Sequence, residues 1–187
     1  MTRTLATIAV STRPGRVGIH VAGWMQGVAE RHGGFASRLV DLAEVGLPLY
    51  DEPKHPRLRD YRHEHTKRWS AIVDAADAFV FVAPEYNHGP SPALVNALAY
   101  ILHEWACKPA GFVSYGGVSG GLRAVQSAKL TLTSLRVVPL NEGVVIPFVA
   151  NQVKDGVFTP NAVQEKAAPE MLDALVRWSD ALAVLRT

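Results

Sequence analysis

Short apolar runs alternate with helical segments along almost the whole chain, and this alternation limits the possible folds more than any other feature. Five runs are apolar rather than alternating with polar residues, and most are bounded by Gly, Pro, Ser or Asp: residues 4–10, 36–40, 78–83, 110–114 and 144–148. Strands buried on both faces have this composition. Short helical crossovers between them predict an α/β fold, a parallel sheet covered on both faces.

Two of the intervening segments show clear helical spacing. One face of a helix near the C-terminus carries Met171, Leu175, Trp178, Leu182 and Leu185. Pro169 is expected to start or kink that helix. A second helix is predicted over residues 56–76, with one face formed by Tyr61, His65, Trp69, Ile72 and Ala76. Residues 42–55 form the only early loop long enough to suggest a lid or a contact surface. The charge-rich residues 54–68 are interpreted as a solvated face, with a subunit contact as the alternative.

Length, charge and cysteine content exclude several classes of protein. The 187 residues are close to the size of one domain, so residues 1–187 are expected to form a single domain. The net charge of only +2 argues against nucleic acid as a partner. Cys107 is the only cysteine, which excludes an intramolecular disulfide and fits a reducing compartment. Because there is no signal-peptide pattern and no apolar run of membrane-spanning length, we expect a cytoplasmic protein without a membrane partner.

Two short motifs suggest chemistry that the rest of the sequence does not support. Residues 117–121 match the G-x-S-x-G pattern of α/β-hydrolases, with Ser119 at the nucleophile position. That fold places its histidine after the serine, whereas the last histidine of this chain is His103. Residues 63–65 read His-Glu-His, but a zinc-binding H-E-x-x-H motif would need histidine where Lys67 stands. We therefore expect neither a hydrolase nor a metal site, and the nucleotide motifs G-x-G-x-x-G and G-x-x-x-x-G-K-[ST] do not occur.

The loop after the first predicted strand has the composition of a phosphate-binding loop. Residues 11–18 read Ser-Thr-Arg-Pro-Gly-Arg-Val-Gly and lead into a helix. Hydroxyl groups, the guanidinium groups of Arg13 and Arg16, and the N–H groups of a helix N-terminus are the donors that a phosphate needs. The alternative is that Ser11 and Thr12 only cap the helix and that the arginines are solvated.

Two further loops follow the third and fourth predicted strands. Residues 84–87 read Pro-Glu-Tyr-Asn, and the prolines around them predict a stiff loop. Residues 114–121 read Ser-Tyr-Gly-Gly-Val-Ser-Gly-Gly, so a flat ligand could approach the backbone closely, unless the segment is only a glycine-rich turn. Ligands of parallel sheets bind beyond the carboxyl ends of the strands, where these loops should meet.

Taken together, the three loops resemble those of the NADPH-dependent FMN reductase family, whose fold is flavodoxin-like. The elements that carry the resemblance are Ser11-x-Arg13, Pro84-Glu85-Tyr86-Asn87 and Ser114-Tyr115-Gly116-Gly117-x-x-Gly120-Gly121-x-Arg123-Ala124, within residues 4–150. The resemblance implies a three-layer sandwich with a five-stranded sheet of order 2-1-3-4-5, bound FMN, and a homodimer or homotetramer. It also implies reduction of quinones, free flavins, azo dyes or oxidised metals with NADPH or NADH.

Carried over residue by residue, the resemblance places Ser11 and Arg13 at the FMN phosphate. Arg16, Val17 and Gly18 are expected to complete this part of the cofactor-binding site. Arg16 is expected to be a second, more solvated partner of the phosphate, because Val17 and Gly18 stand where many members have a hydroxyl residue. The isoalloxazine would be bordered by the segment Pro84, Glu85, Tyr86 and Asn87 on one edge and by Ser114, Tyr115, Gly116 and Gly117 on the other. No catalytic acid or base is expected, since the cofactor carries the chemistry. The alternatives are a flavodoxin-like electron carrier and a flavin-binding protein without NAD(P)H oxidation of its own.

Overall fold

Five parallel strands form the central sheet of the computed structural model, which describes residues 3–186. The strands are β1 (Thr4–Ala9), β2 (Ala36–Asp41), β3 (Ala78–Pro84), β4 (Pro109–Tyr115) and β5 (Val138–Ile146). A small antiparallel ribbon of β6 (Val153–Lys154) and β7 (Val157–Phe158) follows. The order across the sheet is β2-β1-β3-β4-β5, and every neighbouring pair is parallel. This order confirms the topology implied by the family resemblance.

Helices cover both faces of the sheet. They are α1 (Gly18–His32), α2 (Leu42–Val45), α3 (Glu64–Asp74), α4 (Pro92–Ala99), α5 (Leu122–Ser134) and α6 (Ala162–Ala183), with short 3-10 segments at Pro56–Leu58, His103–Trp105 and Val149–Gln152. On one face, α3, α4 and α5 bury Trp69, Leu98 and Leu132. On the other, α1 and α6 bury Met25 and Met171. The three-layer α/β sandwich is therefore confirmed.

The bounds predicted for the first four strands hold to within one residue at each end, but the prediction for the fifth was wrong. The expected strand covered residues 144–148, whereas β5 begins at Val138 and ends at Ile146. Since β5 lies at the edge of the sheet, it carries the exposed residues Asn141 and Glu142, which interrupt the apolar pattern. The register against β4 also shifts in this part of the strand.

The helix predicted over residues 56–76 is shorter than expected. Only residues 56–58 form a 3-10 turn, and α3 begins at Glu64. The buried carboxylate of Glu52 accepts hydrogen bonds from the backbone N–H groups of Arg62 (2.8 Å) and His63 (2.9 Å). Arg59 adopts a left-handed conformation, with φ of 51°. These features hold the connecting residues outside the helix.

The C-terminal helix starts earlier than the proline suggested. Asn161 and Gln164 form a reciprocal capping box that begins α6 at Ala162. Pro169 consequently lies inside α6, where it can neither start the helix nor donate to the turn before it. Of the predicted apolar face, Trp178 and Leu185 are exposed and the other three residues are buried. Among the helices of residues 3–186, none is long and apolar enough to cross a membrane.

The early loop is fastened to α4. The side-chain amide of Asn96 donates to the carbonyl of Pro48 (2.6 Å) and accepts from the N–H of Tyr50 (2.9 Å). The Tyr100 hydroxyl also donates to the Asp51 carboxylate (3.0 Å). The segment after α2 is therefore held beside the C-terminal half of α4.

Candidate functional site

The three candidate loops meet at the carboxyl ends of β1, β3 and β4. A cavity of about 150 Å³ lies between them, and its walls are formed by Ser11, Arg13, Arg16, Val17, Pro84, Glu85, Tyr86, Tyr115, Gly116 and Val149. All but Val149 were predicted as site residues. Four other predicted residues do not line this cavity: Gly18, Asn87, Ser114 and Gly117.

The first loop leaves the N-terminus of α1 open. The N-cap residue is Val17, and no side chain caps the helix. Ser11 is buried at the end of β1, where its hydroxyl is hydrogen-bonded to the Tyr86 hydroxyl (2.8 Å). The alternative in which Ser11 and Thr12 merely cap the helix is therefore wrong. The first N–H groups of this 15-residue helix instead face the loop, an arrangement that favours an anion.

The two arginines of this loop differ in a way that the sequence did not show. Arg16 forms an ion pair with the buried Asp41 at the end of β2, and its side chain is 21% exposed. Its Nε is buried without a hydrogen-bond partner among residues 3–186. Arg13 is exposed. The expectation that Arg16 is the more solvated of the two was wrong, because Asp41 comes from a strand far away in the sequence.

Tyr115 places a hydroxyl beside the same loop. It is only 5% exposed, and its Oη has no hydrogen-bond partner within residues 3–186. Burial raises the pKa of Tyr115 above its ordinary value, so the hydroxyl stays protonated and can donate. Gly18 makes room for it, since a Cβ at that position would overlap Oη and lie 2.8 Å from Cζ. A buried donor without an acceptor therefore lies next to Arg13, Arg16 and the open end of α1.

The loop after β3 folds into a rigid turn. Tyr86 and Gly89 exchange two backbone hydrogen bonds, of 3.0 and 2.9 Å. The two residues between them, Asn87 and His88, both have left-handed backbone conformations. Two positive φ values in succession are typical of a type I′ turn. Asn87 is exposed at the tip of this turn, outside the cavity wall.

Glu85 connects the loops that follow β3 and β4. Its N–H donates to the carbonyl of Tyr115 (3.1 Å). Its carboxylate accepts from the N–H of Arg123 (3.1 Å) and from the guanidinium of the same residue (2.8 Å). Burial alone would raise the pKa of Glu85, but hydrogen bonds, including one from Ser119, and the Arg123 charge lower it. Glu85 is therefore ionised and links the two loops through these contacts.

The glycine-rich loop is held by the residues after β5. The N–H of Val149 donates to the carbonyl of Gly116 (3.2 Å), and the N–H of Phe148 donates to that of Gly117 (3.1 Å). Ser114 is buried within β4, and Gly117 is exposed. Val149 enters the cavity wall in this way, although the sequence did not predict it as a site residue. Its position just after the fifth apolar run was the signal that could have identified it.

The serine of the hydrolase-like motif has a local structural role. The Ser119 hydroxyl accepts a hydrogen bond from the N–H of Gly121 (3.3 Å) at the start of α5. The nearby His88 is engaged by the guanidinium of Arg123 (2.8 Å). In the described part of the chain, residues 3–186, no three His, Cys, Asp or Glu side chains form a group that could hold a metal ion.

The sequence of this chain is similar to those of known flavin and quinone reductases. The sequence profile of a family described as NADPH-dependent FMN reductase matches residues 4–151. An NAD(P)H-dependent FMN reductase of Schizosaccharomyces pombe is 34% identical over 182 residues, which cover 96% of this chain and 90% of that protein. A quinone reductase of Pseudomonas putida is 32% identical over 107 residues, 54% of this chain and 56% of its own.

A solved structure shares the fold. It is a flavoenzyme NAD(P)H:(acceptor) oxidoreductase from Paracoccus denitrificans, with a TM-score of 0.72 and 23% identity, covering 96% of this chain and 98% of its own.

Proposed function

This chain belongs to the NADPH-dependent FMN reductase family, and from that premise we propose that it binds FMN and uses it to transfer electrons from NADPH or NADH to a small acceptor. The acceptor class that we propose is a quinone or a free flavin. The observation that carries the proposal is the buried hydroxyl of Tyr115, which has no hydrogen-bond partner among residues 3–186 and lies beside the donors of the first loop.

Those donors fit a phosphate monoester. A phosphate offers several acceptor oxygens and about two negative charges. The first loop supplies the Nε of Arg16, the exposed guanidinium of Arg13 and the uncapped N-terminus of α1, and the end of β4 supplies the Tyr115 hydroxyl. A buried donor without an acceptor is costly, so a ligand that accepts from Tyr115 recovers that cost on binding. Ser11 would orient the site through its hydrogen bond to Tyr86.

The other two loops would frame a flat ring. The turn after β3 is stiff, and the glycine loop has no side chain at Gly116 or Gly117 that could keep a ring away from the backbone. We propose that Pro84, Glu85 and Tyr86 border one edge of the ring, with Asn87 at its rim. Ser114, buried in β4, would support the loop from below.

The protein contributes binding, orientation and electrostatics to the reaction. When bound, FMN supplies the redox chemistry, since the flavin can take a hydride from nicotinamide and give electrons to an acceptor. Because an open face would serve both the donor and the acceptor, the two are expected to bind in turn. No side chain has to act as a strong acid or base.

The test is anaerobic reduction of the FMN-loaded protein by NADPH, followed by the flavin absorbance. We expect the flavin to bleach without acceptor and to regain its oxidised spectrum when a quinone is added. A flavin that stays oxidised with both NADPH and NADH, but is reduced by a protein donor, would identify an electron carrier. Absence of FMN binding at high micromolar concentration would refute the proposal altogether. As a control, Ser119→Ala should keep most of the quinone reductase activity, because a hydrolase nucleophile is not involved.

Assembly and location complete the proposal. We propose a homodimer or homotetramer, supported by large apolar side chains that are exposed near α4 and the early loop: Leu49 (86%), Leu58 (58%) and Val95 (47%). Surfaces of this kind commonly mark protein contacts, and sedimentation would measure the assembly. A cytoplasmic location is proposed from the single, buried and unpaired Cys107.

A further inference from the structure

A second cavity lies at the opposite, amino-terminal edge of the sheet. Its volume is about 560 Å³, and it lies between the starts of β3 and β4 and the C-terminal ends of α3, α5 and α6. Most of its charged lining comes from six residues: Arg59, Lys108, Arg136 and Arg186, with Asp74 and Asp77. Neither the family resemblance nor the proposed flavin site uses any of these residues.

The positive charges in this cavity exceed the negative ones. Asp77 is paired with Arg186 (2.9 Å) and also accepts a hydrogen bond from the N–H of Thr4 (2.8 Å). Asp74 lies 4.0 Å from Arg59. Glu104, just behind the lining, is 4.0 Å from Arg59 and accepts from Tyr61 and Ser70. No carboxylate within residues 3–186 pairs with Lys108 or with Arg136, so these two cations remain without an acidic partner.

Lys108 is a buried amine in the wall of the cavity. It is 5% exposed, and its Nζ donates to the carbonyls of Val73 (2.9 Å) and Asp74 (3.0 Å) at the end of α3. Burial, together with the charge of Arg186, lowers the pKa of Lys108 to about 8, although the carboxylates of Asp74, Asp77 and Glu104 act in the opposite direction. The two carbonyls offset part of its charge, but an anion in the cavity would offset more.

Backbone strain is concentrated in the same place. Seven non-glycine residues of the described chain have left-handed φ values, and three of them line this cavity: Arg59 (51°), Cys107 (58°) and Arg136 (60°). Cys107 donates its N–H to the carbonyl of Arg136 (2.9 Å), and the Arg136 guanidinium returns a contact to the Cys107 sulfur (3.3 Å). Arg59 and Arg136 follow the ends of helical segments, where a left-handed residue is common, and such conformations also cluster at binding sites.

Basic residues at this edge also have a simpler explanation. The C-terminal ends of helices are electronegative, and Lys or Arg side chains often lie there for that reason alone. Lys108 partly does this for α3. Arg136 follows α5 but turns its guanidinium to the Cys107 sulfur rather than to the last carbonyls of a helix. Offsetting the helix ends therefore does not account for the direction of the Arg136 guanidinium, although Arg136 as a whole is exposed.

We propose that this cavity binds a compact oxyanion with at least two negative charges, held by Arg136 and Arg186 above the charge of Lys108. Phosphates and polycarboxylates share this chemistry, and planar guanidinium groups recognise both. The volume exceeds that of a single phosphate group, so the cavity can take a diphosphate or a tricarboxylate.

The test is calorimetric titration of the protein with inorganic pyrophosphate and, separately, with citrate. Saturating FMN occupies the first loop, so that the titrated anion does not bind there. The ionic strength is held constant with KCl, so that changes in charge screening do not affect the binding signal. We expect saturable binding of at least one of the two anions, weakened at least tenfold in Arg136→Gln and in Arg186→Gln. Arg177→Gln removes the same charge from an exposed position on α6 and should leave the affinity unchanged.

The two anions distinguish the sources of the ligand. Binding of pyrophosphate alone indicates a phosphate compound, and binding of citrate as well indicates recognition of oxyanions in general. The proposal is overturned if neither anion shows saturable binding, or if the parent and both cavity variants bind with equal affinity. The basic residues would then be explained by the electronegative helix ends alone. If the protein does not bind FMN, FMN cannot keep the titrated anion away from the first loop. The titration is therefore repeated without FMN in Arg13→Gln, which removes a cation from the first loop and leaves the cavity at the opposite edge of the sheet unchanged. This variant separates a failure of the anion site from a failure of the proposed function.

Discussion

Replacing Tyr115 by phenylalanine should have opposite effects on the stability of the apoprotein and on its affinity for FMN. The hydroxyl is buried and has no partner among residues 3–186, and a buried polar group in that state costs about 1–3 kcal/mol. Removing it should therefore leave the free energy of unfolding of the apoprotein unchanged or raise it by about 1 kcal/mol. Phenylalanine keeps the ring and its packing in β4.

The affinity for FMN should fall at the same time. If the hydroxyl donates to the phosphate, the variant loses a charge-assisted hydrogen bond, which contributes about 1.5–3 kcal/mol. At about 1.4 kcal/mol for each factor of ten, the dissociation constant for FMN should rise about ten- to a hundredfold. Riboflavin lacks the phosphate and should bind the variant as well as it binds the parent.

The assay combines urea unfolding of the apoprotein with fluorescence titrations of FMN and riboflavin. Tyr86→Phe is a matched control, because its hydroxyl does have a partner, Ser11 at 2.8 Å. That variant should lose about 1 kcal/mol of stability in the apoprotein. The reasoning is refuted if Tyr115→Phe destabilises the apoprotein as much as Tyr86→Phe does, or if FMN and riboflavin lose the same affinity.

Three other perturbations test different parts of the structure. Gly18→Ala places a Cβ 2.8 Å from the Tyr115 ring and should lower the free energy of unfolding in urea by about 1–3 kcal/mol. Gly23→Ala adds a Cβ in open space in the same helix and should raise the free energy of unfolding by about 0.5–1 kcal/mol. A similar effect of both substitutions would show that the close packing at Gly18 is unimportant. Glu85→Gln removes the ion pair with the half-exposed Arg123 and should lower the free energy of unfolding by about 1 kcal/mol. The affinity for FMN should fall less than tenfold, and a larger loss would mean that the Glu85 carboxylate itself contacts the ligand. Because burial lowers the pKa of Lys108 from 10.5 to about 8, the folded protein loses this proton at a lower pH than the unfolded chain does. The free energy of unfolding should therefore rise by at most about 3 kcal/mol between pH 8 and 10.5. Lys108→Met should abolish that rise in urea titrations, and an unchanged pH dependence in the variant would contradict this expectation.

Local pattern was sufficient for the layered fold. β1, β3 and β4, the three inner strands, are buried along most of their length because both faces of the sheet are covered there, and this burial is visible as apolar runs in the sequence. The exceptions lie where tertiary contacts override the pattern. β5 is an edge strand with polar residues, and residues 59–63 are kept out of α3 partly by the carboxylate of Glu52.

The motif residues also located the candidate site, because loops after parallel strands meet at one edge of the sheet. Nine of the ten residues around the cavity were identified in this way. Sequence order could not show that Arg16 pairs with Asp41 or that Glu85 turns to Arg123, since these partners lie 25 and 38 residues away.

The amino-acid sequence was therefore enough to predict the class of fold, the family and the loops that form the candidate site. The three-dimensional arrangement was needed to show which donors are already engaged and which, like the Tyr115 hydroxyl, have no partner among residues 3–186. It also decided that Lys108, Arg136 and Arg186 line one cavity at the far edge of the sheet. The physical reason is that burial and turn formation depend on neighbouring residues, whereas pairing and charge balance depend on which distant segments the fold brings together.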